Sequence, residues 1–284
     1  MIKNLTKALL LGLILIVVPA CSNVDNTPSQ QSSELEGQEN VNVDSDDESK
    51  DADVETVPVV SEEPQLLSDA EIRVVMDKFQ EIEDIVKETN NKLTFSDEEI
   101  TQPEVMATKL QENLPESLQD LVSNNMLLNQ LPSEISYWYV TSGEDGFFPE
   151  VSLDARMDIV ENKPDVIKVK TFEFNDFFHF HGNVYITAVK ENGKWLIDGY
   201  EWVDVDKEPL DLSKEEVIRY EEKVNDSEIE FIAEEVVTSP MNDGTSKTAN
   251  AIIVKILKDN TLKGRFTDTG EVVNILPQKF KSTE

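Results

Sequence analysis

The apolar residues of this chain change their spacing along its length, and the changes mark its elements. From Ser68 they recur at helical intervals, at Ile72, Val75, Met76, Phe79, Ile82 and Val86. Ser68-Asp69-Ala70-Glu71 is a capping box, and Leu67 with Ile72 is placed for the hydrophobic staple, so a helix is predicted to run to about Asn90-Asn91. Thr101 and Pro103 predict a second helix over 103–112 with Val105, Met106 and Leu110 on its apolar face. Pro115 opens a third, carrying Leu118, Leu121 and Val122. Beyond it the reading turns to strands. They are expected at 135–140, 153–160, 166–174, 183–190 and 194–203, with a loop at 141–146. The last two form a hairpin about Asn192-Gly193, which tolerates the positive φ of a type I′ turn. Period two puts Trp195, Ile197 and Gly199 on one face and Leu196, Tyr200 and Trp202 on the other. Both faces are apolar, so the sheet is expected to be strongly curved or covered on both sides.

A further capping box, Ser213-Lys214-Glu215-Glu216, predicts a helix to about Val224. Short strands follow at 229–237, 251–257, 262–266 and 272–276, separated by turn-rich breaks. Helices followed by an antiparallel meander define an α+β class. Residues 66–207 are expected as its main domain and 208–284 as a small, mainly-β C-terminal module.

The N-terminal pattern is different. Lys3 and Lys7 precede an apolar run over 8–18, and then come Pro19, Ala20 and Cys21. This is the order of a secretory signal, too short for a spanning helix. Val18-Pro19-Ala20-Cys21 resembles the lipobox of bacterial lipoproteins. The resemblance implies that residues 1–20 are removed, that the Cys21 sulfur carries a diacylglyceryl group, and that its new amine is often acylated. Val-x-Ala before Cys21 also fits ordinary cleavage after Ala20, which leaves a secreted protein instead. Residues 21–65 carry many acids against the single base Lys50, no aromatic residue and no period, so a disordered tether is expected.

Charge narrows the partners. The formal net charge of −33 argues against nucleic acid, which needs a cationic face, and against adsorption of the folded part to an anionic leaflet. With one cysteine in the chain, no intramolecular disulfide can form.

Gly193-Lys194-Trp195-Leu196-Ile197-Asp198, following a strand such as Val184-Tyr185-Ile186-Thr187, resembles the close of an NTF2-like or cystatin-like domain. The resemblance implies a curved antiparallel sheet wrapped around the long helix, forming a cone with a pocket. It leaves function open, because some members are enzymes and many only bind or dimerise.

Candidate chemistry is sparse. His179 and His181 flank Phe180, and in a strand both imidazoles would point the same way, with Asp176 or Asp198 as a partner. No third metal ligand is evident, and an exposed loop or sheet rim is the plainer reading. Asp204, Asp206, Glu208 and Glu215 fit a calcium loop by spacing, but Pro209 stands where glycine is needed, so an acidic linker is expected. Lys255, Lys258, Lys263 and Arg265 read as a solvated face. The aromatics carry more: Tyr137, Tyr139, Phe147 and Trp202, with the two histidines, are the candidate ligand-binding residues. No cofactor or metal is implied. A membrane-anchored binding protein of the cell envelope, with a protein or wall glycan as partner, is the leading reading. The rivals are a small-pocket enzyme using His179 or His181 with an aspartate, and a structural or homodimerising surface protein.

Overall fold

A computed structural model describes residues 66–141, 147–176, 179–241 and 244–275. All of them fall within one compact unit, Val60–Glu284. Cys21, the expected signal segment over 1–20 and the acidic stretch over 21–65 lie outside the described residues. Among the described residues, no helix is long and apolar enough to cross a membrane.

The architecture is α+β with two antiparallel sheets. The first predicted helix forms as α1 (Asp69–Met76) and α2 (Lys78–Lys92), interrupted at Asp77. Its capping box is complete: the Glu71 carboxylate accepts the Ser68 N–H at 2.8 Å while Ser68 Oγ accepts the Glu71 N–H. Ile72, Met76, Phe79, Ile82 and Val86 are all buried, as their spacing requires. Helix α3 spans Pro103–Glu112. The expected helix after Pro115 is only a 3-10 turn, Glu116–Asp120, although Leu118, Leu121 and Val122 are buried.

The largest correction concerns residues 135–140. They form no strand but the end of helix α4 (Leu131–Val140), which follows a π turn, Met126–Gln130. Tyr-Trp-Tyr favours strands by propensity, yet Leu127, Leu131, Ile135 and Tyr139 recur every fourth residue and pack together into the core. The strand expected at 153–160 is also corrected, since β1 covers only Asp158–Asn162. The preceding residues turn instead, with the N–H groups of Ala155 and Arg156 both donating to the Ser152 carbonyl.

Strands β2 (Val166–Asn175), β3 (Phe180–Glu191) and β4 (Lys194–Asp204) lie close to their expected ranges, and the first sheet runs β1-β2-β3-β4. Asn192 and Gly193 take φ of 50° and 80°, as the hairpin turn demands. The predicted split of β4 into two faces fails because of a bulge. Gly199 pairs with Thr187 and Ile197 with Ala188, so Asp198 is the extra residue. The bulge returns Trp195, Ile197, Tyr200 and Trp202 to one face, and all four join the main core under the helices.

The other face of the sheet is also covered. Phe172 and Phe174 pack against Leu210, Leu212, Val217, Ile252 and Val254. These come from helix α5 (Lys214–Asn225), the segment before it and the second sheet: β5 (Ile229–Pro240), β6 (Ser246–Ile256), β7 (Thr261–Phe266) and β8 (Val272–Val273). Leu276, the expected end of the last strand, lies outside the described residues. Each fully buried side chain such as Phe172 contributes about 1.5–3 kcal/mol.

Candidate functional site

A cavity of about 360 Å³ opens on the helix-covered face, at the end of the first sheet where β2 finishes and β3 begins. Helix α4 and strand β4 build its sides, and one residue joins them. The Gln130 side chain accepts the Tyr200 N–H at 2.9 Å and donates to the Tyr200 carbonyl at 3.0 Å. It thereby caps the edge of β4 as a neighbouring strand would. A Cβ at Gly199 would stand 2.7 Å from Gln130 Oε1, so glycine there allows this approach.

Gln130 sets the face of α4 that looks into the cavity. Glu134 lies one turn on and Tyr137 another, and both line it. Strand β4 supplies Tyr200, Trp202 and Asp204, and β2 supplies Glu173. The Trp202 indole lies across Gly182 of β3, where a Cβ would stand 2.6 Å from the ring. Phe147 is stacked on Trp138, with ring centroids 4.2 Å apart, and Phe148 meets Tyr200 edge-on.

Burial governs the electrostatics. It pushes the Glu173 carboxyl up to about 7, and the neighbouring charges of Glu150 and Glu83 add to the rise. The backbone N–H of Glu150, donating to Glu173 Oε1 at 3.1 Å, and the facing Trp202 indole offset part of it. That indole N–H is buried and makes no full hydrogen bond among the described residues. Burial also raises Glu134, against the Tyr200 hydroxyl and the Gln130 amide, which lower it. Tyr200 is held far above its ordinary value by burial first and then by Glu134, Glu173 and Glu83. Near neutral pH Glu173 is therefore divided between its neutral and ionised forms, and the ionised form carries the cost of burial.

Of the aromatic candidates, Tyr137, Phe147 and Trp202 converge here. Tyr139 does not. On a helix it lies about 200° from Tyr137, is buried, and its hydroxyl donates to Asn90 Oδ1 at 2.5 Å.

The histidines sit elsewhere. His181 is buried on the opposite face of the sheet, edge-on to Phe174, and its Nε2 is 3.4 Å from Asp176 Oδ1. His179 is in the turn before β3 at φ 61°, so the two rings do not share a strand face. Both border a polar cleft of about 250 Å³. Asp198 is no partner, since its carboxylate accepts the Ser123 hydroxyl at 2.6 Å. Asp176 is already committed to Arg265, whose guanidinium reaches its two oxygens at 2.9 and 2.7 Å. Burial would raise the Asp176 carboxyl, but His181, Arg265 and Lys263 together hold it far below the carboxylate range.

Arg265 corrects the reading of its cluster as a solvated face. It is 1% exposed, donates also to Glu221, and lies over the rings of Phe174 and Tyr220. The residues spaced as a calcium loop diverge: Glu208 Oε1 accepts from Lys170 and from the Tyr185 hydroxyl, while Asp204 accepts the Asp206 N–H. Among the described residues no group of acids, histidines or cysteines is arranged to hold a metal.

Sequence reasoning missed Glu134 and Glu173. Glu173 shows as an acid inside the apolar run Val166–Asn175. Glu134 carries a signal only once α4 is read as helix, four residues after Gln130. Comparison with protein-family models, curated proteins and solved structures returns no match for this chain.

Proposed function

We propose that this protein is a lipid-anchored, extracytoplasmic binding protein of a bacterial cell envelope, with the aromatic cavity as its binding site. In this reading the first sheet and its helices follow an NTF2-like plan, and residues 208–284 form a small module behind the sheet. Lys3, Lys7, the apolar run over 8–18 and Cys21 support the anchor. The acidic stretch over 21–65 acts as a spacer that an anionic membrane repels outward. The observation that carries the binding reading is the convergence of Tyr137, Phe147 and Trp202, from separate elements, on one cavity. The partner is an envelope component, a protein or wall glycan.

Two measurements test this. In bacterial cells fed labelled fatty acid, the full chain takes up label and stays with membranes, whereas Cys21→Ala is unlabelled. A labelled Cys21→Ala protein sinks the anchor. The full chain in detergent is also expected to co-sediment with purified envelopes in high salt. Trp202→Ala loses that retention while keeping its circular dichroism spectrum; equal retention of the variant removes the cavity from the binding reading.

A further inference from the structure

Three carboxylates converge on the cavity: Glu134 from α4, Glu173 from β2 and Asp204 from the end of β4. Among the described residues no lysine or arginine lines it, and none of the three acids has a basic partner. Elsewhere the fold does the opposite. Glu83 holds Lys87, Glu216 holds Arg156, Glu208 holds Lys170, and Glu221 with Asp176 holds Arg265. These acids meet bases, whereas Glu134 and Glu173, like Asp198 against Ser123, are met by neutral donors, and of those only Glu134 and Glu173 line the cavity. Drawing carboxylates out of water without a counter-charge is costly, and a cationic ligand removes the cost.

The walls favour the same ligand. Tyr137 and Phe180, 55% and 45% exposed, stand with Trp202 around the cavity, and aromatic faces attract cations. The carboxylates could accept from sugar hydroxyls as from an ammonium, but only the ammonium also supplies the counter-charge that Glu134 and Glu173 lack among the described residues. Apolar walls over acidic groups suit a methylene stem ending in a charge. We infer that the cavity receives an alkylammonium group, the lysine side chain of a protein partner, with its methylenes against Tyr137, Phe180 and Trp202 and its charge between Glu173 and Glu134. The inference rests on the reading of the cavity as the binding site.

The full-length protein in detergent micelles is titrated with Nα-acetyl-lysine methylamide, with the same compound acetylated on Nε, and with glucosamine, read by tryptophan fluorescence and NMR line shifts. The charged lysine probe is expected to bind at least about tenfold more tightly than either of the others. Glu173→Gln and Glu134→Gln each weaken it about tenfold while the melting temperature is kept or raised. Glu173 faces Glu150 from the segment before β1, Glu83 from α2, and Tyr200 and Trp202 from β4, and Tyr200 in turn faces Glu134 from α4. An ammonium needs it ionised, so the lysine probe binds about tenfold more tightly at about pH 8 than at about pH 6, and Glu173→Gln loses this dependence. Equal binding of the Nε-acetylated probe, tighter binding of glucosamine, or no binding of the lysine probe overturns the inference. If Trp202→Ala still abolishes envelope retention in that case, the cavity remains the binding site and only the ligand class falls. If it does not, both fall.

Discussion

At the scale of single residues, two half-buried acids pull stability in opposite directions with pH. Burial raises Glu173 to about 7, so between there and its ordinary value near 4.5 the folded state holds a proton that the unfolded state has released. Its contribution therefore grows as pH falls through that window and is lost as pH rises past about 7. Asp176 is the reverse case. Burial is outweighed by His181, Arg265 and Lys263, so its stabilisation is full above the ordinary carboxylate range and disappears as pH falls below it. We predict that Glu173→Gln stabilises the protein by about 1–3 kcal/mol at about pH 8 and changes stability little at about pH 5. Urea melts of both proteins at the two pH values check this, and a difference independent of pH would contradict it.

At the scale of elements, periodicity made most of the fold legible, and it failed where one extra residue or a competing propensity intervened. The capping boxes at Ser68 and Ser213 and the Asn192-Gly193 turn all stand where the sequence put them. Their signals are local, so no distant contact could override them. The face of β4 was misread because Asp198 bulges out of the ladder, and nothing in the period of the strand marks which residue is surplus. The strand reading of 135–140 failed because aromatic propensity outweighed a four-residue apolar spacing that continues across Pro132. The cavity was half legible for the same reason: its aromatics stood out, but Glu134 needed the helix and Glu173 needed the strand face. Closeness between strands can also be tested. A Cβ at Gly182 would stand 2.6 and 2.8 Å from two atoms of the Trp202 ring and 2.7 Å from the Val203 carbonyl oxygen. Gly182→Ala is therefore expected to cost about 1–3 kcal/mol and to shift tryptophan emission to the red as the indole is displaced. An unshifted spectrum at unchanged stability would mean that the strand absorbs the methyl by backbone movement.

At the scale of the whole molecule, the second sheet is tied to the first through charge as well as apolar packing. Arg265 on β7 binds Asp176 beyond β2, Glu221 on α5 and the carbonyl of Gly270, all around a guanidinium that is almost fully buried. Replacing it leaves Glu221, which is 0% exposed, without its guanidinium. Arg265→Met is expected to destabilise by about 3–5 kcal/mol, read as a lowered urea midpoint, whereas a cost near that of an exposed arginine would place the pair in water. The connection between β2 and β3 gives this tie a wider meaning. Its two ends serve both sides of the sheet: Asn175 and Phe180 border the aromatic cavity, and Asp176 and His179 border the polar cleft behind it. The chain from Leu210 onward thus packs behind a wall whose front is the cavity. If the cavity binds as proposed, a lesion in β7 is expected to register there as lost occupancy, although no residue of β7 lines it.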